Sequence, residues 1–223
     1  MKPAAVVFDL FGTLLDVASL QAAAAEVTGD PAAFVATWRE KQLAYAFAST
    51  IVGRHEDFDA LTAHALRFAA AKHGVVLDAV AQQRLVAAWE HVEAFADAVP
   101  ALQILAAHGV RCAVLTNGTP VTAAAAIGNA GLAALLDVTL SVESAGVFKP
   151  DRRVYALATE HYGVVPERLV FVTSNGWDAT GAAAFGMRVA WCNRGGAPAE
   201  TFGPPPEWTI GDLSALAEIA AGG

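Results

Sequence analysis

Short runs that stay apolar at both alternating positions constrain this 223-residue chain more than any other feature. They lie at Ala4–Phe8, Val110–Leu115, Val138–Leu140, Leu169–Val172 and Arg188–Trp191, with a weaker one at Trp208–Ile210. A strand that is apolar on both faces must be covered on both, as in a parallel sheet between helices. Helical spacing of apolar residues occupies intervals between these runs, over Pro100–His108, Pro120–Asn129, Asp151–Tyr162 and Trp177–Phe185. The alternation predicts an α/β fold built on a doubly wound parallel sheet.

One region does not alternate. From about Val17 to Val92 the pattern is helical almost throughout, with Trp38, Phe47, Phe58, Phe68 and Trp89 at amphipathic spacings. This predicts an all-helical cap over residues 16–97, inserted into an α/β core made of residues 1–15 and 98–223. A cap above the tip of the first strand would shelter whatever chemistry happens there.

A chain 55% hydrophobic and 16% charged is set up to pack rather than to stay disordered. A net charge of −8 with no basic cluster argues against nucleic-acid binding. It also means that an anionic substrate needs particular local cations. Cys112 and Cys192, each inside a predicted strand, make neither a disulfide framework nor a zinc spacing. They read as buried thiols of a reducing compartment. Residues 112–136 carry no charge, but Thr116-Asn117-Gly118-Thr119-Pro120 breaks them into strand, loop and helix. Asp9 and Gly12 interrupt the first apolar stretch, so it does not read as a secretory signal. A soluble cytoplasmic protein without membrane contact is expected. The six histidines form no metal or triad pattern.

Open α/β sheets bind ligands beyond the carboxyl ends of their strands. Polar groups fall at four such ends: Asp9 with Thr13, then Thr116-Asn117-Gly118, then Lys149-Pro150 after a short connection, then Thr173-Ser174-Asn175-Gly176-Trp177-Asp178. One rim thus receives two carboxylates, a lysine, several hydroxyls and two carboxamides. Asp9 is the candidate nucleophile; the plainer role is a strand-ending Asp bonded to its own turn. Asp178 has a plainer role too, as N-cap of the helix after it.

These four motifs, in this order, resemble the haloacid dehalogenase superfamily over essentially the whole chain, cap included. Most members are magnesium-dependent phosphatases with an acid two residues after the nucleophile. Here that position is Phe11, and Asn175 stands where phosphatases usually place an acid. Phe8-Asp9-x-Phe11-Gly12-Thr13-Leu14, Phe148-Lys149-Pro150-Asp151-x-x-Val154-Tyr155 and Ser174-Asn175-x-Trp177-Asp178 are similar to the L-2-haloacid dehalogenases. So are Trp38-Arg39-x-Lys41-Gln42-Leu43-x-Tyr45 and Gly53-Arg54-x-Glu56-Asp57-Phe58 in the cap.

The resemblance implies hydrolysis of an L-2-haloacid to a D-2-hydroxy acid and halide through an ester on Asp9, with no metal and no cofactor. It gives Lys149 the task of keeping Asp9 ionised. Arg39 is to assist the departing halide or the substrate carboxylate, the alternative being an ion pair with Glu40 or another cap acid. Thr13, Thr116 and Asn117 are to donate hydrogen bonds to the nucleophile or the substrate carboxylate. Asn175 and Asp178, with Lys149, are to fix the water of the second step. Leu10, Phe11, Leu43, Phe58, Tyr155, Thr173, Ser174 and Trp177 are expected at the substrate, with Tyr155 either reaching Asp9, Lys149 or substrate or serving only as packing with a tethered hydroxyl. Arg54 is expected at the surface. Where this chain has Thr116 and Thr173 the subfamily often has Ser, which bears on pocket size rather than reaction type. The resemblance also hints at a homodimer. Two rival expectations stand beside it: a phosphate-monoester hydrolase with an atypical metal site, and a non-catalytic binding relative.

Overall fold

The computed structural model describes residues 2–221. Its strands are β1 (Ala5–Phe8), β2 (Arg111–Thr116), β3 (Val138–Ser141), β4 (Leu169–Thr173), β5 (Arg188–Cys192) and β6 (Trp208–Ile210). All pairings are parallel and the order is β3-β2-β1-β4-β5-β6. β1 therefore lies between β2 and β4, with Phe8 beside both Val114 and Val172. The order reverses between β1 and β4, and a crevice opens there at the carboxyl ends.

Strand residues alternate between two cores. Val6, Phe8, Val114 and Val172 face one, while Ala5, Val7, Leu115 and Phe171 face the other. This is why the strands read as apolar on both faces. The first core is continuous with the cap through Phe34, Trp38, Leu66, Leu85 and Trp89.

The helices are α1 (Gln21–Ala24), α2 (Pro31–Val52), α3 (Phe58–His73), α4 (Ala79–Ala87), α5 (Ala98–Ala107), α6 (Pro120–Asn129), α7 (Arg152–Tyr162), α8 (Gly176–Phe185) and α9 (Leu216–Ala221). Their starts follow local chemistry. Asp30 accepts from Ala33 N with Pro31 at the first helical position, and Asp57 accepts from Ala60 N. Between β1 and α5 all the regular structure is helical. Outside the sheet, Leu15 and Ala94 form an isolated antiparallel bridge, and Phe95 N donates to Leu14 O at 3.0 Å.

One expectation about helix ends is corrected. Asp178 does not cap α8; it lies in the first turn, and Asn175 is at the N-cap position. Asn175 makes no capping bond there because its amide is turned toward Asp9.

Candidate active site

Asp9 leaves the central strand with its backbone still on the ladder, Asp9 N donating to Val172 O at 2.9 Å. The chain then turns back sharply. Leu14 N and Leu15 N both reach Leu10 O, and Gly12 takes a φ of +96°, which a side chain would strain. That turn brings the Thr13 hydroxyl within 3.1 Å of Asp9 Oδ2. Ser174 N donates to the same hydroxyl oxygen at 2.9 Å, so the Thr13 proton is directed at Asp9.

Asp9 is 5% exposed, and both its oxygens are held. Lys149 Nζ donates to Oδ1 at 2.7 Å, and Asn175 Nδ2 joins Thr13 on Oδ2 at 2.9 Å. Lys149 also donates to Asp178 Oδ2 at 2.8 Å, and the Tyr155 hydroxyl donates to Asp178 Oδ1 at 2.7 Å. Asp178 and Lys149 are completely or almost completely buried. Asn117 Oδ1 accepts from Lys149 N at 3.0 Å, which fixes the lysine loop and leaves the Asn117 amide nitrogen to donate elsewhere.

From the cap, Arg39 reaches across to the nucleophile loop. Its Nη2 donates to Phe11 O at 3.1 Å and its Nη1 to Gln42 Oε1 at 2.7 Å. The alternative ion pair with Glu40 or another cap acid is not formed among the described residues. The Phe11 ring is 3% exposed and meets Trp89 edge-on at 5.3 Å, with Leu10 fully buried behind the turn. Trp177 meets Phe47 edge-on at 5.1 Å. The two help line an apolar cleft of about 440 Å³ that borders Lys149. Phe58 packs against Phe148 with ring centres 5.8 Å apart, and Leu43 is half-buried on α2. Arg54 is exposed, beside Glu56.

Several expected substrate contacts have partners within the protein. Thr116 Oγ1 accepts from Gly118 N, and Thr173 Oγ1 accepts from Asn175 N. The Tyr155 hydroxyl, offered by the sequence to Asp9, Lys149 or substrate, goes instead to Asp178, and the ring stands fully buried behind it. The reason is Gly181: a Cβ there would lie 2.5 Å from the Tyr155 hydroxyl, so only glycine lets the ring slide in behind α8.

Two residues the sequence did not suggest complete the scaffold. Arg194, just after β5, donates to Ser174 Oγ, Thr13 O and Asp97, and its guanidinium stacks 3.9 Å above the Phe95 ring. Asp97, at the return from the cap, also accepts from Leu213 N. One arginine thus ties the nucleophile turn, the loop after β4 and the cap return together. The Ser174 hydroxyl faces this arginine.

Comparison with known proteins carries the assignment further. Residues 3–186 match the family model described as haloacid dehalogenase-like hydrolase. The chain belongs to the haloacid dehalogenase-like hydrolases. It is 38% identical to an (S)-2-haloacid dehalogenase of Pseudomonas sp. (strain YL), over 96% of this chain and 93% of that one. It is 33% identical to haloacetate dehalogenase H-2 of Moraxella sp. (strain B), over 99% of each. The solved L-2-haloacid dehalogenase of Xanthobacter autotrophicus, with chloropropionic acid covalently bound, superposes with a TM-score of 0.92 at 32% identity, covering 100% of this chain and 99% of that one.

Within this hydrolase the charges are unequally shared. Burial works against the Lys149 ammonium, but Asp178 and Asp9 together outweigh it and hold the lysine above its ordinary range. Burial, with Asp9 adding to it, pushes the Asp178 carboxyl up against the pull of Lys149. Tyr155 is driven well above its ordinary range by burial and by Asp178, so it stays a donor to that carboxylate. Burial pushes the Arg39 guanidinium down, against the attraction of Asp9 and Asp178.

Magnesium, used by most of the wider superfamily, does not suit this donor set. It takes hard oxygen ligands in near-ideal octahedral geometry. Here an ammonium lies between the two carboxylates, and Phe11 and Asn175 stand where further acids would be needed. Among the described residues no three His, Cys, Asp or Glu side chains converge on a metal-sized space.

Proposed function

We propose that this hydrolase cleaves the carbon–halogen bond of (S)-2-haloacids to give (R)-2-hydroxy acids, without a metal ion. The observation that carries this reading is the ammonium of Lys149 bridging Asp9 and Asp178, beside a phenylalanine where a leaving alcohol would need an acid. Halide leaves as an anion and needs no proton. The chloropropionic acid bound covalently in the Xanthobacter relative supports the same chemistry.

In the first step a carboxylate oxygen of Asp9 attacks the halogen-bearing carbon from behind. The C–O bond forms as the C–X bond breaks, the electron pair leaves with halide, and the configuration inverts. Arg39 receives developing negative charge; a guanidinium suits this because it stays charged and is weakly hydrated. Thr116 and Asn117 hold the substrate carboxylate, while Leu43, Phe58 and Trp177 keep water from the alkyl end. In the second step water attacks the Asp9 carbonyl carbon. Asp178 takes one water proton and returns it to the departing alkoxide, Asn175 with Lys149 aligns the water, and the Asp9 carboxyl so formed gives the second proton to solvent, which restores the carboxylate. A raised Asp178 makes the better base for this task. Asp178→Ala is therefore expected to form the ester but not to release it. Intact mass after mixing with (S)-2-chloropropionate should rise by the bound propionate group; an unmodified mass with product still released removes Asp178 from the second step.

No described helix is long and apolar enough to cross a membrane. Two buried, unpaired cysteines support a cytoplasmic location, and the dehalogenase likeness supports a homodimer. The deciding experiment is halide release from each enantiomer of 2-chloropropionate, with and without a chelator. Release from the (S) form alone, unaffected by chelator, is expected. Chelator-sensitive turnover of a phosphate ester, or no turnover of either substrate, would overturn the proposal.

A further inference from the structure

The hydrogen bonds behind Arg39 can be followed one by one. A guanidinium has only donors, so Gln42 Oε1 must be the acceptor of Nη1. Gln42 Nε2 then donates to Thr62 Oγ1 at 2.5 Å. With that bond accepted, the Thr62 hydroxyl donates to Phe58 O at 2.7 Å. Trp38 Nε1 donates to Thr62 O at 2.8 Å and pins the same turn. Gln42 is 0% exposed and Thr62 is 3% exposed. Every bond in the chain has one permitted direction, and no water is needed to complete it.

A buried amide facing an aliphatic helix would be costly, and packing of α2 on α3 alone would be served as well by leucine. The chain instead ends on the guanidinium. Gln42 holds one arm of Arg39 and Phe11 O holds the other, which uses two of its five N–H groups. We propose that Gln42 and Thr62 are positioning residues that set the angle at which Arg39 meets the leaving halide. The inference rests on the proposed dehalogenation and adds what orients its anion-stabilising group. The chain starts at the carbonyl of Phe58, whose ring packs against Phe148, so it also ties the position of Arg39 to that of the apolar wall.

Thr62→Val keeps the shape and removes the hydroxyl. Gln42→Met keeps the length and removes both amide bonds. Chloride is a poorer leaving group than bromide and depends more on assistance. Single-turnover halide release should therefore slow more for (S)-2-chloropropionate than for the bromo acid. The bromo-to-chloro rate ratio is expected to rise about 3- to 10-fold in both variants, the scale of one mispositioned hydrogen bond. Thr62→Ser, which keeps the hydroxyl, should bring the ratio back toward that of the native enzyme. A loss of packing alone would slow both substrates equally, so an unchanged ratio in whichever of Thr62→Val and Gln42→Met folds overturns the proposal. Absence of halide release from the native enzyme would instead overturn the dehalogenase reading itself.

Discussion

Asp9→Asn should reduce halide release from (S)-2-chloropropionate by at least about 10⁴-fold, as expected when a covalent nucleophile is lost. The substitution is nearly isosteric, so the turn from Leu10 to Leu15, whose bonds are all backbone, should persist. What changes is charge and lone pairs. Oδ1 takes the Lys149 bond and Oδ2 takes Thr13 and Asn175. An amide presents two donors on one side, and one of them must face an ammonium or the Asn175 amide. A neutral amide oxygen is also a poor nucleophile toward carbon. Rapid-quench chloride assay is the direct measurement. A rate within tenfold of the native one would remove Asp9 from the first step and leave Asp178 as the remaining acid of the rim.

Much of the core was legible because its strands are buried on both faces. That condition writes itself locally, as runs such as Val6-Val7-Phe8 and Leu169-Val170-Phe171-Val172. The residues meeting at the rim were legible for a related reason: a parallel sheet sends every strand end to the same side, so motif order predicts proximity. Asp9, Lys149, Asn175 and Asp178 do meet there. What escaped depends on contacts between distant segments. Arg194 and Asp97 are far apart in the chain, and a lone arginine after a strand has no local signature. Gln42 was visible only as one letter of a cap motif; its use depends on Thr62 from the next helix. Asp178 as an N-cap failed because a local rule competed with a tertiary one. Asn175 holds the cap position while its side chain serves Asp9, and Asp178 turns inward to Lys149 and Tyr155. The partner of the Tyr155 hydroxyl escaped for the same reason, since the space that admits the ring beside Asp178 is created by Gly181 on another helix.

Lys149→Met is expected to harm folding as well as catalysis, and the two losses should separate with pH. Methionine fits the length of the lysine stem but leaves Asp9 and Asp178 facing each other in a buried site with no cation between them. Removing one member of a buried ion pair typically costs about 3–5 kcal/mol, because the charge left behind is uncompensated. Asp178 sets the direction with pH. Burial already holds its carboxyl above the ordinary range with Lys149 present, and without the lysine it must rise further. A carboxyl whose folded pKa lies above its unfolded one binds more protons when folded, so lowering pH favours the folded variant. The deficit relative to the native protein should therefore be largest near neutral pH. It should shrink as pH falls through the raised carboxyl value, when one proton replaces the missing ammonium. Turnover should not recover, since a protonated Asp178 cannot take a proton from water. Urea denaturation of both proteins across the acid range, run beside the chloride assay, measures each loss. A stability deficit that stays constant or grows toward acid would mean that the lysine does not counter the two aspartates as a pair, and with it would fall the idea that an ammonium takes the part a divalent ion plays elsewhere in the superfamily.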